Sequence, residues 1–181
     1  MKRLIKSYWL LFLVAVLIVV VDQITKALVR NNIPDGGVWS PWPWLMPYAK
    51  IVHITNTGVA FGMFQGLGPV FAILAVIISV AIIYYFPRVP MEDWTLRVAL
   101  CMELGGAIGN LIDRLTQGYV TDFVSIGNFF VFNVADSCIT VGVGVLILGV
   151  WLQDRRKKKD EALQPAQQPV AGPKDEDEKG Q

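Results

Sequence analysis

Two aspartates without a basic neighbour are the residues of this chain best suited to chemistry. Asp122 and Asp136 have no lysine or arginine within four positions on either side, so a local ion pair does not account for them. Two carboxyl groups that share a site ionise together only with difficulty, and one proton is then shared between them. Such a pair can deprotonate water and protonate a leaving nitrogen, which is the chemistry of hydrolysis by paired acids.

Further polar side chains are spaced so that they can join this pair from neighbouring helices. Asn110, Asp113 and Arg114 stand at positions i, i+3 and i+4 and therefore share one helix face. Asn133 stands three residues before Asp136 and shares its face in the same way. Ionisable groups inside apolar segments are costly, so they mark either function or an internal ion pair.

A structural explanation competes with the functional one for some of these acids. Asp22 lies one helical turn from Lys26, and Asp113 is adjacent to Arg114. Each acid thus has a basic residue with which it could simply hold helices together. Composition and spacing alone predict an acid-lined site near one boundary of the apolar segments, and a proton-coupled carrier would use the same acids.

Metal and thiol chemistry lack their usual residues in this sequence. There is one histidine, His53, and the two distant cysteines Cys101 and Cys138 match neither a CxxC metal motif nor a disulfide framework. The net charge of +1 offers no basic footprint for nucleic acid. We therefore expect no metal and no nucleic-acid partner.

The composition places these acids in a membrane protein. Of the 181 residues, 54% are apolar and 17% are charged, whereas soluble domains carry about 25% charged residues. Four segments are long enough to span a bilayer, which takes roughly 20 apolar residues; they are 8–29, 69–86, 95–115 and 129–152. The predicted fold class is an all-α membrane protein in which residues 1–154 form a domain of four transmembrane helices.

Lysines and arginines near the ends of these segments predict their orientation. Three lie on one side (Arg30, Lys50 and Arg114), and ten lie on the other: Lys2, Arg3, Lys6, Arg88, Arg97 and residues 155–159. Both termini are therefore expected in the cytoplasm, and the acids near the outer leaflet. The charged residues 155–181 have too little apolar surface to fold, so a disordered cytoplasmic tail is predicted.

The outer loop at residues 31–68 is expected to form a small module that contains β structure. Lys50–Thr57 is rich in Ile, Val and Thr, which predicts a short strand. Tryptophans such as Trp42 and Trp44 favour the level of the lipid headgroups, so the module should lie on the membrane surface. Asp122 is expected in the short loop between the third and fourth spans.

Five motifs occur in an order that matches a known family. They are Asp22-Gln23-x-Thr25-Lys26, Asn56-Thr57-Gly58-Val59-Ala60-Phe61, Gly105-Gly106-Ala107-Ile108-Gly109-Asn110-Leu111-Ile112-Asp113-Arg114, Val120-Thr121-Asp122-Phe123 and Phe132-Asn133-Val134-Ala135-Asp136-Ser137. Together with the four spans, they closely resemble the bacterial lipoprotein signal peptidases, also called signal peptidase II, over roughly residues 8–152. Val59 stands where that family more often has alanine.

The resemblance implies an intramembrane aspartic endopeptidase of the bacterial cytoplasmic membrane. Such enzymes remove signal peptides from prolipoproteins, cutting before a cysteine that carries a diacylglyceryl group, and they use no metal or organic cofactor. The resemblance puts the catalytic pair on Asp122 and Asp136. Residues that would support the site are Asp22, Lys26, Asn56, Gly58, Asn110, Asp113, Arg114, Asn133 and Ala135. The expected partners are these substrates and membrane lipid, and the chain is expected to act as a monomer.

Two other classes of protein fit part of the pattern. A small proton-coupled carrier would need polar positions that continue towards the cytoplasmic side, where only Glu103 and Ser79 are available. A non-catalytic assembly factor would explain the four spans but not two acids without basic partners. The motifs taken together favour the peptidase.

Overall fold

The computed structural model of this protein describes residues 2–58, 63–127 and 129–163. Within them the chain forms four long helices, which are α1 (Lys2–Asn32), α2 (Gly68–Tyr85), α3 (Trp94–Thr116) and α4 (Val134–Leu163). A small sheet is built from three strands, which are β1 (Val38–Trp39), β2 (Ala49–Asn56) and β3 (Val120–Ile126). The fold is therefore mostly helical, with the sheet formed by the connections at one end of the helices.

Four helical segments are long and apolar enough to cross a membrane: Tyr8–Asn32, Gly68–Arg88, Trp94–Thr116 and Val134–Asp160. The second consists of α2 and the 3₁₀ turn Phe86–Arg88 that follows it. Large apolar side chains cover the outer surface of the bundle, where Leu17 and Ile73 are each 62% exposed. Such a surface is unfavourable in water, but lipid tails are as apolar as leucine. The chain is thus built as a multi-pass membrane protein.

Helix α3 lies at the centre of the bundle and packs against α1, α2 and α4. A Cβ atom at Gly106 would lie 2.6 Å from the carbonyl oxygen of Ala135, and one at Gly109 would lie 2.7 Å from Asp22 Oδ2. Neither distance leaves room for a side chain. These two glycines therefore let the start of α4 and a side chain of α1 touch the backbone of α3.

The two ends of the bundle have different interiors. The end away from the sheet contains an apolar core of Leu11, Ala15, Ile82, Phe86, Cys101 and Leu104. Most of the buried polar side chains lie at the other end, among them Asp22, Lys26, Asn110, Asp113, Thr121, Asp122 and Asn133. This second end, where the sheet lies, is called the sheet end below.

The sheet is antiparallel, with β2 between β1 and β3. Ile54 of β2 pairs with Asp122 of β3. Because side chains alternate along a strand, Asp122 faces one side of the sheet, while Thr121 and Phe123 face the other. The strand thus presents Asp122 to one set of neighbours and its flanking residues to another.

The strand predicted at residues 50–57 is confirmed as β2, Ala49–Asn56. The prediction of Asp122 in a loop was wrong, because Val120–Ile126 pairs with β2 as strand β3. Valine, threonine, phenylalanine and isoleucine dominate this segment, and such residues favour strands. A strand fixes the direction of the Asp122 side chain more firmly than a loop would.

Helices α2 and α3 match their predicted spans to within one residue at each end, and α1 extends beyond its span at both ends. The fourth span, predicted at 129–152, was misplaced. Helix α4 begins later, at Val134, because the backbone of Phe132 bonds to that of Val124 in β3 and stays extended.

Helix α4 also ends later than predicted, at Leu163. The prediction of a disordered tail was therefore wrong for residues 155–163, while residues 164–181 lie outside the described residues. Arginine and lysine are good helix formers. A pair between Lys158 and Asp154, one turn apart with an N–O distance of 2.9 Å, adds to the helical extension.

Candidate active site

Helix α4 begins with a reciprocal pair of hydrogen bonds that also fixes Asp136. The backbone N–H of Asp136 donates to Oδ1 of Asn133 at 2.9 Å, and the backbone N–H of Asn133 donates to Oδ2 of Asp136 at 3.3 Å. In this capping box, the residue before a helix and the third helical residue satisfy each other's backbone. The spacing Asn-x-x-Asp thus starts α4 and holds the Asp136 carboxylate in place.

Asp122 reaches the same region from strand β3 and is 3% exposed. Its Oδ1 accepts a hydrogen bond from the side-chain amide of Asn133 at 2.8 Å, and its Oδ2 accepts one from the amide of Asn56 at 2.8 Å. Asn56 ends β2, the strand paired with β3. Two elements distant in sequence therefore hold the Asp122 carboxylate.

Asn110 of α3 connects the two carboxylates. Its amide donates to Oδ1 of Asp136 at 2.8 Å, and its own oxygen accepts from the amide of Asn133 at 3.2 Å. Asn133 in turn donates to Asp122, so the two acids and two asparagines form one network. Among the described residues, neither Asp122 nor Asp136 forms an ion pair.

Burial raises the pKa of Asp122 to about 7, and the negative charge of Asp136 adds to this effect. Hydrogen bonds from Asn56 and Asn133 act in the opposite direction, because they stabilise the charged form. Asp122 can consequently hold a proton near neutral pH, as general acid–base chemistry requires.

A second cluster of charged groups, here called the ion-paired layer, lies next to this network. It contains Asp22, Lys26 and Asp113, whose side chains are fully buried. Lys26 Nζ lies 2.9 Å from Asp22 Oδ2 and 3.3 Å from Asp113 Oδ2. The same ammonium group donates to Oδ1 of Asn110 at 2.9 Å, so Lys26 links the layer to the asparagines that hold the two acids.

Asp22 forms the ion pair with Lys26 that the sequence spacing predicts. Asp22 also has a second contact. Its Oδ1 accepts a hydrogen bond from the backbone N–H of Ala135 at 2.9 Å. Ala135 lies in the first turn of α4, where N–H groups have no partner within the helix. Asp22 therefore ties α1 to the start of the helix that carries Asp136.

Asp113 pairs with Lys26 and with Arg30, at 3.3 and 3.5 Å, and not with its neighbour Arg114. Adjacent residues of a helix point about 100° apart, so Asp113 faces α1 while Arg114 faces elsewhere. Arg114 Nη2 donates to the carbonyl oxygen of Gly58 at 3.2 Å. The alternative of a structural pair between Asp113 and Arg114 was therefore wrong.

Gly58 lies in a turn that Asn56 closes. The backbone N–H of Gly58 donates to Oδ1 of Asn56 at 2.9 Å, while the amide nitrogen of Asn56 binds Asp122. A Cβ atom at Gly58 would collide with the carbonyl oxygen of Met63. The turn thus needs glycine, and it positions Asn56 for its bond to Asp122. Val59, Ala60 and Phe61 of the same motif lie outside the described residues.

Three residues that contact this site were not predicted as site residues from the sequence. Gln23 Nε2 donates to Gly109 O at 3.0 Å and to Asp113 Oδ1 at 3.2 Å. Arg30 Nη1 donates to Oγ1 of Thr121 at 3.0 Å. Arg30 could have been found, because it follows Lys26 by one helical turn and continues its face. Gln23 and Thr121 stand in two of the five motifs, but their contacts depend on the packing of elements distant in the sequence.

Asp122 and Asp136 line one cavity of about 230 Å³. Helices α2 and α4 supply much of its apolar wall, with Phe71, Leu74, Ala75, Ile78 and Ile139. Ala107 of α3, Val120 of β3, Phe130 and Val131 supply the rest. Asn56, Gly58, Asn110 and Arg114 complete the polar end. In the described part of the chain, no group of three or more His, Cys, Asp or Glu residues is arranged to hold a metal ion. The cavity therefore offers two acids at one end of an apolar cleft.

Comparisons with known proteins agree on one family. The family model described as signal peptidase (SPase) II matches residues 14–152. The lipoprotein signal peptidase of Halalkalibacterium halodurans is 39% identical over 153 residues, which cover 82% of this chain and 96% of that protein. That of Desulfitobacterium hafniense is 37% identical over 142 residues, which cover 78% and 92%.

A solved structure gives the same result. A bacterial membrane enzyme determined by the in meso method at 2.3 Å resolution superposes with a TM-score of 0.74. The two sequences are 32% identical, and the match covers 82% of this chain and 90% of that one.

Proposed function

This chain belongs to the signal peptidase II family of aspartic proteases, and we propose that it cuts diacylglyceryl-modified prolipoproteins through the pair Asp122 and Asp136. The family establishes cleavage of lipoprotein signal peptides; the pair and the cut before the lipid-modified cysteine are the proposal. One observation carries it: two buried acids line one cavity, and neutral amide groups donate hydrogen bonds to both of them.

The reaction uses one carboxylate and one protonated carboxyl group. The carboxylate removes a proton from water, whose oxygen attacks the carbonyl carbon of the scissile peptide, while the carboxyl group protonates the carbonyl oxygen. The peptide nitrogen then takes a proton from the pair, and the carbon–nitrogen bond breaks. The products are a signal peptide with a new carboxyl group and a lipid-modified cysteine with a free amino group.

The supporting residues hold the two acids in position, and they can do so in either protonation state of the carboxyl groups. Asn110 donates to Asp136, Asn133 donates to Oδ1 of Asp122, and Asn56 donates to Oδ2 of Asp122. An amide can donate to a carboxylate or to a protonated carboxyl oxygen, so these contacts survive the transfer of the proton. Arg114 holds the carbonyl of Gly58 and so keeps the turn next to the acids in place.

The cleft between α2 and α4 is the proposed entrance for the substrate. Its walls are apolar side chains such as Leu74 and Ile139, which suit the helical, apolar part of a signal peptide. Lysines and arginines favour an orientation in which both termini lie in the cytoplasm and the sheet end at the outer leaflet. The acyl chains of the substrate would then stay in the outer leaflet of the cytoplasmic membrane.

The outer module is proposed to cover the bound substrate on the membrane surface. Trp42 and Trp44 stack with ring centroids 6.0 Å apart, and both are more than half exposed. Exposed tryptophans favour the membrane interface. We propose a monomer as the active unit.

The apolar core at the opposite end argues against a proton-coupled carrier. Leu11, Phe86 and Leu104 are fully buried there, so the interior of that end is mainly apolar in the described part of the chain. A carrier needs a path of polar groups across the whole membrane. The peptidase needs only one site at one depth.

A cleavage assay tests the proposal directly. The full chain, purified in detergent, is mixed with a diacylglyceryl prolipoprotein, and the products are identified by mass spectrometry. We expect a cut immediately before the lipid-modified cysteine and slow or absent cleavage of the same precursor without lipid. Cleavage elsewhere, or equal cleavage of both precursors, would contradict the proposal.

A further inference from the structure

The strand that carries Asp122 is held on its other face by an arginine of α1. Thr121 is fully buried and points away from the cavity, since side chains alternate along β3. Arg30 Nη1 donates to Oγ1 of Thr121 at 3.0 Å. We propose that Arg30 is a positioning residue for Asp122, acting through Thr121; this inference rests on the proposed function of Asp122.

Asp113 forms a second hydrogen bond with Thr121, in addition to the one from Arg30. Its Oδ2 accepts a hydrogen bond from the backbone N–H of Thr121 at 3.0 Å, and its Oδ1 lies 3.5 Å from Arg30 Nη1. β3 pairs with β2 along one edge; in the described part of the chain, its other edge bonds to the backbone of Phe132 at Val124 but has no strand neighbour at Thr121. The Arg30–Asp113 pair takes that place and fixes both the backbone and the hydroxyl of the residue before Asp122.

Arg30 also balances the charge of the ion-paired layer. Asp22 and Asp113 carry two negative charges, and Lys26 alone supplies one positive charge in contact with both. Arg30 supplies the second, and its side chain is only 20% exposed. Without it, Lys26 would face two buried carboxylates while also serving as the donor to Asn110.

This geometry predicts a loss of turnover without a loss of binding. Thr121→Val keeps the shape of the side chain but removes the hydroxyl oxygen that accepts from Arg30. A hydrogen bond to a charged group is worth a factor of about 10 or more, so we expect kcat to fall about 10-fold while KM stays within about 2-fold. Thr121→Ser restores the hydroxyl and should recover most of kcat.

The partner variant separates this contact from a general effect on folding. Arg30→Gln should lower kcat at least as much as Thr121→Val, and the double variant should be no worse than Arg30→Gln alone, because both remove the same bond. Thr116→Val and Arg156→Gln are matched controls. Thr116 bonds only within its own helix turn, and Arg156 is exposed on the extension of α4, so both should keep wild-type rates.

Three results would overturn the inference. They are wild-type kcat in folded Arg30→Gln, failure of Thr121→Ser to exceed Thr121→Val, and additive losses in the double variant. Asp122→Asn, assayed beside them, tests the proposed function separately. If Asp122→Asn is inactive while the Arg30 and Thr121 variants are normal, only the inference fails; if Asp122→Asn cleaves normally, the proposed function fails.

Discussion

Two pairs of aspartates lie close together at the sheet end, and they are held in opposite ways. Asp22 and Asp113 share the ammonium group of Lys26, at 2.9 and 3.3 Å. Asp122 and Asp136 instead receive hydrogen bonds from asparagine amides, each at 2.8 Å. A cation in direct contact stabilises a carboxylate in its charged form, whereas burial favours the protonated form.

The difference separates a structural role from a chemical one at nearly the same depth. The ion-paired layer joins α1 to α3 and to the start of α4 through Asp22 and Asp113. In the cavity, Asp122 can hold a proton near neutral pH. Buried carboxylates are therefore distinguished by what donates to them, and their position in the sequence or in the membrane says less.

The largest expected effect comes from replacing either acid of the cavity. Asp122→Asn or Asp136→Asn keeps the size of the side chain but removes the acidic proton. Acid–base assistance is worth about 10²–10⁴ in rate, so each variant should cleave near background, and the double variant should be scarcely worse. Initial rates on a diacylglyceryl prolipoprotein measure this loss.

Asp154→Asn is the matched control, because Asp154 is an exposed acid on α4 and pairs only with Lys158 in the structure. It should keep the wild-type rate. Binding of the uncleaved precursor should survive in Asp122→Asn. A folded variant of either acid that retains more than about a tenth of the normal rate would contradict the roles given to the pair.

Breaking the ion-paired layer should affect stability more than chemistry. Lys26→Met leaves Asp22 and Asp113 buried with one cation fewer, and removing one partner of a buried pair costs about 3–5 kcal/mol. Thermal unfolding in detergent should show a large drop in Tm. The double variant Lys26→Met/Asp22→Asn should recover part of it, since one unpaired charge is removed.

Lys158→Met is matched in geometry, because Lys158 and Asp154 are also one turn apart at 2.9 Å, but both are exposed. It should leave Tm nearly unchanged, as exposed ion pairs contribute little. An equal drop in the two lysine variants would mean that burial does not distinguish the layer. No recovery in the double variant would mean that lost packing, and not charge, destabilises Lys26→Met.

The pH dependence of stability should also distinguish the two pairs. Folding raises the pKa of Asp122 from 3.8 to about 7, chiefly through burial. Between these values the folded state binds more protons than the unfolded state, so the free energy of unfolding falls as pH rises through this window. Asp122→Asn should remove that part of the fall, which is about 2.5 kcal/mol between pH 5 and pH 7.5 at about 1.36 kcal/mol per pKa unit.

Unfolding curves at about pH 5 and pH 7.5 provide the measurement, and Asp154→Asn again serves as control. The wild type and the control should lose stability between the two pH values, and Asp122→Asn should lose less. Identical pH dependence in all three proteins would show that Asp122 does not hold its proton in the folded state.

Much of the fold and of the candidate site could be predicted from the sequence. The remaining features depend on contacts between residues that are distant in the chain. The spans of α2 and α3 follow from hydropathy, because a membrane-crossing helix satisfies its own backbone. Strand β3 was missed, since Val120–Ile126 becomes a strand only by pairing with β2. Lys26 was expected beside Asp22, but its contacts with Asp113 and Asn110 require α1 and α3 to be packed.

The smallest expected effect lies outside both pairs, in the aromatic surface of the outer module. Trp44→Ala removes an exposed ring that stacks on Trp42 without touching any acid. An aromatic contact is worth about 0.5–1.5 kcal/mol, so KM should rise roughly 2- to 10-fold while kcat stays within about 2-fold. Trp151→Ala, at the opposite end of the bundle, is the matched control and should change neither constant. Complete loss of kcat in folded Trp44→Ala would mean that the module contributes to the chemistry, and the contrast between two pairs of acids would then be an incomplete account of the site.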